Sequence, residues 1–133
     1  MPPIYIHIII GMLLAEIILR KIENDPETFA ERRKEKRWYF WLAGGLGGLS
    51  PDLDIIPALI TGQPIFTYHF IYTHTLIAMG ILFVLVLITR FNPYILTYSV
   101  AYGVHLLTDQ IYIISIVILR REGVILLQTL MRI

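Results

Sequence analysis

Seven side chains in this sequence are the candidates to hold a divalent ion: His7, Asp52, Asp54, His69, His74, His105 and Asp109. They comprise all four histidines and every aspartate except Asp25. Imidazole and carboxylate suit Zn²⁺ first, with Mn²⁺ or Fe²⁺ as alternatives, and the set is large enough for one to three ions. The absence of cysteine excludes a disulfide framework, a thiolate zinc site and a cysteine nucleophile. A water acidified by a divalent ion to a pKa near ~7 can attack a phosphoester with no protein nucleophile, and two ions can hold the attacking and leaving oxygens in line. Either Asp52 or Asp54 could then act as general base, and the residue types do not choose between them.

Each group also has a plain structural account. His105 and Asp109, at i and i+4, lie about 40° apart on one helix face, where they can share an ion or simply form a hydrogen-bonded pair. His69 and His74, at i and i+5, converge only if the chain bends between them, which puts His69 in a loop and His74 in a first helical turn. Asp52 and Asp54 flank Leu53 after Ser50-Pro51. They face one ion if the segment is extended, but Ser-Pro-Asp is also the start of a helix capped by Ser50. Glu16 is nine residues from His7, on the opposite face of the same helix, and pairs instead with Arg20 at i+4.

The elements that must position these groups belong to a membrane. Of the 133 residues 56% are hydrophobic and 16% charged, and the mean hydropathy is +0.69. A soluble all-helical protein with a greasy core is the competing class. Seven of the 11 basic residues lie between Arg20 and Arg37, and between 38 and 119 the only formal charges are Asp52, Asp54, Arg90 and Asp109. A net charge of +1 with no basic stripe sets nucleic acid aside as a partner.

Helices are expected over Ile4 to Leu19, from about Pro26 to Leu49, Thr75 to Thr89, Tyr94 to about Asp109, and Ile111 to Leu119. The first lacks the basic start and cleavage site of a signal peptide and reads as a retained helix. Asp25-Pro26-Glu27 reads as the cap of the second, and Trp38, Tyr39 and Trp41 as its interfacial aromatic belt. Gly44 and Gly48 form a small-residue pair that admits a neighbouring helix, and no phosphate loop or serine-hydrolase motif accompanies them. The tail from Glu122 to Ile133 either continues the fifth helix or lies along the cytoplasmic surface.

This predicts an all-α fold: one membrane-embedded domain, 1–133, a small bundle of four to five short helices with a His/Asp metal cluster at one membrane end. Residues 20–37 form a basic cytoplasmic loop and helix start, and 50–74 an outer loop carrying site residues. With alternating helices, Arg20, the Arg32 to Arg37 cluster, Arg90 and Arg120-Arg121 all fall on the cytoplasmic side. The seven candidate ligands then gather towards the outer side. Ionisable groups at membrane depth cost several kcal/mol unless paired or metal-bound, so this gathering implies a site.

In order, His7, the PDLD at 51–54, the HFIYTHT at 69–75 and the HLLTD at 105–109 resemble the YdjM-type family of membrane-bound, metal-dependent hydrolases. The resemblance implies a metal-ligand role for all seven residues. Phe70 and Ile71 stand where that family carries Arg and Gly, and Thr75 where it carries Ser, so if that Arg orients a phosphate in relatives, this chain uses metal charge alone or a different substrate. The family is also distantly similar to zinc-dependent phospholipase C and the zinc nucleases, which cleave phosphoesters. Position at a membrane end favours a lipid headgroup phosphoester as substrate, and Thr67, Tyr68, Tyr72, Thr73, Thr75 and Gln110 could either bind a headgroup or merely line the interface. The alternatives are non-enzymatic: a bundle holding haem between two histidines, which has no use for three aspartates, or a divalent-ion carrier, which would need polar groups continuing to the other side.

Overall fold

The computed structural model describes residues 3–23, 33–64, 68 and 73–130, and every regular element among them is helical. Helix α1 spans Ile4–Glu23 and α2 spans Arg33–Leu49. A 3-10 turn, Ser50–Asp54, leads into α3, Ile55–Thr61, which ends on Gly62 in the left-handed region. Helix α4 is Leu76–Ile88 and α5 is Pro93–Leu130. The expected 50–74 loop therefore contains two short helical elements. The expected cap at Asp25 and the position of His69 lie outside the described residues.

Helices α1 and α2 run antiparallel in close contact because glycines face each other. A Cβ on Gly44 would lie 2.2 Å from the Gly11 carbonyl oxygen, and one on Gly48 would lie 2.3 Å from that of His7. Only glycine permits that approach, as the Gly44 and Gly48 spacing predicted. Gly47 turns towards α5, where a Cβ would meet the Tyr98 carbonyl oxygen at 2.3 Å. Thus α2 sits between α1 and α5 with backbone nearly touching backbone on both sides.

At one end of this trio Ala15, Leu19 and Phe40 form an apolar core, with Tyr94 packed on Phe40. Beside it Glu16 gathers α1 to α2. It accepts from Arg20 Nε at 3.0 Å, as expected, and also from Trp41 Nε1 at 3.0 Å and from the Arg37 guanidinium. The turn from α4 to α5 passes through Arg90 and Phe91 at positive φ. Asn92 Oδ1 then accepts from Tyr94 N at 3.0 Å, capping α5 at the expected Asn92-Pro93.

Apolar and polar groups are distributed opposite to a water-soluble protein. Leu76, Ile60 and Ile77 are 90%, 79% and 75% exposed, whereas His7, Asp52, Asp54, His105 and Asp109 are buried. Such a contiguous apolar exterior needs lipid against it. Among the described residues one helix, Pro93–Arg121, is long and apolar enough to cross a bilayer, and its most apolar stretch is only 17% buried, unlike the core helix of a soluble protein.

One expectation is overturned. The runs Tyr94 to Asp109 and Ile111 to Leu119 are a single helix, and its backbone continues to Leu130. Asp109-Gln110 interrupts hydropathy but not helicity, because neither residue breaks a helix as Pro or Gly does. Arg120-Arg121 therefore stands about 40 Å along α5 from its start and not beside Arg90. Arg20, Lys21, Arg37 and Arg90 remain at the opposite end.

Candidate metal centre

At the end of the bundle where α1 begins, α2 ends and α4 begins, four side chains bring one ligand atom each to within 4.8 Å of one another: Asp52, His74, His105 and Asp109. Three of the separations are nearly equal. His105 Nε2 lies 3.4 Å from both Asp52 Oδ1 and Asp109 Oδ2, and His74 Nε2 lies 3.3 Å from Asp109 Oδ2. Four ligands placed tetrahedrally at about 2.0–2.1 Å from a zinc ion would stand about 3.3 Å apart. The donor set and its spacing therefore fit a divalent ion. His105 Nε2 is buried and makes no hydrogen bond of good geometry, an arrangement that costs stability unless a ligand fills it.

The outer sides of the rings explain how they are aimed. His105 Nδ1 meets the Gly48 carbonyl oxygen at 2.7 Å, so Nδ1 carries the proton and Nε2 offers its lone pair to the cluster. Gly48 thus acts twice, admitting α1 through its missing Cβ and orienting His105 through its carbonyl. His74 precedes α4 rather than lying in its first turn, and Thr75 is the cap, accepting from Ala78 N at 3.2 Å. The bend leaves the His74 ring between Asp109 on one side and Asp54 on the other, with Nδ1 3.4 Å from Asp54 Oδ2.

Asp52 and Asp54 separate because the segment is a 3-10 turn and not extended. Three residues per turn put i and i+2 about 120° apart, so Asp52 enters the cluster while Asp54 stands behind His74. Ser50 does not cap this turn. Its hydroxyl accepts from Tyr98 at 2.7 Å, tying the turn to α5.

Thr73 locks the arrangement. Its hydroxyl is 2.6 Å from Asp54 Oδ2 and 2.8 Å from the Pro51 carbonyl oxygen, and its own carbonyl accepts from Tyr102. Thr73 was expected only as a headgroup contact; its place beside His74 was the available signal. The roles of the Gly48 carbonyl and Tyr102 had no signal in the sequence, since each depends on an element distant in the chain.

His7 adjoins the four. Its Nε2 is 3.3 Å from Asp109 Oδ1, and its ring packs on His105 with centroids 3.8 Å apart. Asp109 consequently presents one oxygen to His7 and the other to His74 and His105, the disposition of a bridging carboxylate. Of the seven expected ligands the structure brings Asp52, His74, His105 and Asp109 together, places His7 alongside, and sets Asp54 behind His74. His69, Thr67 and Tyr72 fall outside the described residues. Gln110 follows Asp109 on α5, at the margin of the site.

A helical membrane bundle with a buried His/Asp cluster at one end is the class of protein that this fold and site define. The chain belongs to the YdjM inner membrane protein family, whose model matches residues 1–120, a span that includes all four blocks. No curated protein and no solved structure matches it.

Proposed function

We propose that this protein is a membrane-bound, metal-dependent hydrolase that cleaves a phosphoester of a lipid headgroup with water. The observation that carries this reading is the convergence of Asp52, His74, His105 and Asp109, from three separate parts of the chain, with one ligand atom each within 4.8 Å of the others. Asp52, His74, His105 and Asp109 would hold the first ion, and His7 with the second oxygen of Asp109 offers part of a place for another. When bound, a divalent ion supplies a Lewis acid that acidifies water and neutralises charge on a phosphoryl oxygen.

The remaining work falls to the chain. The Gly48 carbonyl and Asp54 fix the two ring orientations, and Thr73 holds Asp54 in place. A carboxylate oxygen not engaged by the ion, on Asp52 in the cluster or on Asp54 behind His74, would take the proton from water. The oxygen of that water forms a bond to phosphorus, the bond from phosphorus to the leaving oxygen breaks, and the proton passes to that oxygen. Burial of the site among apolar helices strengthens each of these interactions. The other candidate chemistry fits less well: His7 packs on His105 at 3.8 Å, which leaves no gap for a porphyrin between those rings.

Metal content and phosphodiester hydrolysis of the detergent-purified chain test the reading, wild type against His74→Ala with Asp109→Ala. Zinc or manganese at about one to three equivalents per chain, with hydrolysis, both lost in the double variant, is the expected result. A metal-free wild type whose stability ignores added divalent ions would overturn it.

A further inference from the structure

A cavity of about 780 Å³ lies between α4 and α5, and His74 of the metal cluster is part of its wall. Its polar lining is His74, Thr75 and Gln110 at the cluster end and the single hydroxyl of Ser99 towards the far end, where Phe91 and Leu96 also line it. Between them each helix contributes an apolar stripe at helical spacing, with Met79 and Gly103 facing each other across the middle. The cavity is open along its length, since Leu76, Phe83 and Leu107 in its wall are 90%, 63% and 62% exposed. A second cavity, of about 530 Å³, is lined by Leu42, Leu85 and Tyr98 among others and includes none of the cluster residues.

We propose that the cavity between α4 and α5 holds a single hydrocarbon chain of a phospholipid whose phosphate lies at the cluster. This rests on the hydrolase reading above and names the substrate's tail as well as its head. Length carries the argument. From Gln110 to Leu96 is 14 residues of helix, about 21 Å, and an extended hydrocarbon chain with single bonds of about 1.5 Å advances about 1.25 Å per carbon, so the cavity takes about sixteen carbons.

Direction agrees with this length. A lipid in the leaflet next to the cluster keeps its head at that end and runs its chain towards the bilayer centre, along the groove. Bilayer and groove are equally apolar, so a chain moving from one to the other gains not hydrophobic free energy but close packing against both helices, which grows with the length seated. The groove also supplies registration: a chain seated in it places the phosphate beside His74 instead of letting the lipid slide and rotate.

The groove should therefore act as a ruler, and two plugs at different depths read it. Gly103 lies about 9 Å along α5 from Asp109, or about seven carbons. A Cβ there already meets Met79 Cε at 3.2 Å, so the larger Gly103→Leu side chain fills the passage. Leu96→Trp plugs the far end. Binding of hexyl, decyl and hexadecyl phosphate to the zinc-loaded full chain in detergent is measured by native mass spectrometry, with metal content confirming each variant's fold.

Wild type should bind hexadecyl phosphate at least about tenfold more tightly than hexyl phosphate. Gly103→Leu should abolish that preference while hexyl phosphate binds as before. Leu96→Trp should weaken hexadecyl but not decyl phosphate. Chain-length dependence unchanged by both plugs overturns the groove, even if phosphodiester hydrolysis is found. The ruler present with neither metal dependence nor hydrolysis would instead retain the groove and remove the hydrolase.

Discussion

Adding one methyl group at Gly48 should damage the metal centre, although Gly48 has no side chain to offer an ion. The Gly48→Ala Cβ would stand 2.3 Å from the His7 carbonyl oxygen, where ordinary contact begins near 3.4 Å. Both partners are helix backbone, so the contact is relieved only by moving α1 from α2 by about 1 Å. His7 Nε2 would then retreat from Asp109 Oδ1, now 3.3 Å away, to about 4 Å, the limit for two ligands on one ion with bonds of about 2.0–2.2 Å. The Gly48 carbonyl that orients His105 moves with the same strain. Overpacking of this kind costs about 1–3 kcal/mol, and lost second-sphere orientation weakens metal binding about 10–100-fold.

Gly45→Ala is the control. Its Cβ would meet Met12 Cγ at 3.6 Å and Ile8 Cγ2 at 3.8 Å, both ordinary contacts. The assay pairs zinc affinity, by competition with a chromophoric chelator, with denaturation in detergent. Gly48→Ala should lose at least about tenfold in affinity and unfold earlier, and Gly45→Ala should match wild type. Equal behaviour of the two variants would refute the claim that the α1–α2 approach sets the cluster.

Two further outcomes follow from the same structure. Asp54→Asn should weaken zinc binding about 10–100-fold by releasing the His74 ring, whereas Thr73→Ser, which keeps the hydroxyl on Asp54, should stay near wild type; affinities ranked the other way would make Asp54 irrelevant to His74. Because the natural chain has no cysteine, Arg37→Cys and Arg120→Cys can be labelled singly in sealed vesicles by a membrane-impermeant maleimide. With α5 crossing the bilayer as one helix, labelling is expected from opposite sides, and labelling from the same side would refute that crossing.

The sequence by itself determined which groups could hold a metal ion, because residue type and helical spacing are local properties. His105 and Asp109 share a face through the 3.6-residue repeat, Glu16 reaches Arg20 by the same repeat, and Gly44 and Gly48 marked the helix contact. A nearly chargeless stretch from 38 to 119 likewise implied lipid surroundings. Local rules failed where hydropathy was read as a boundary: Asp109-Gln110 looked like a helix end, yet α5 passes through it because polarity does not break backbone hydrogen bonds.

Only the tertiary structure decided how the groups divide their roles. Asp52 and Asp54 are equivalent in composition, and a 3-10 turn anchored to Tyr98 sends one into the cluster and the other behind His74. Thr73, the Gly48 carbonyl and Tyr102 act across gaps of 19 to 57 residues, distances along the chain that no periodicity encodes. The groove beside the cluster exists because α4 approaches α5 at Gly103 through the flexible end of Met79 and leaves space on either side. Separations between elements depend on which backbones can come close, and that is a property of facing surfaces, not of any one segment.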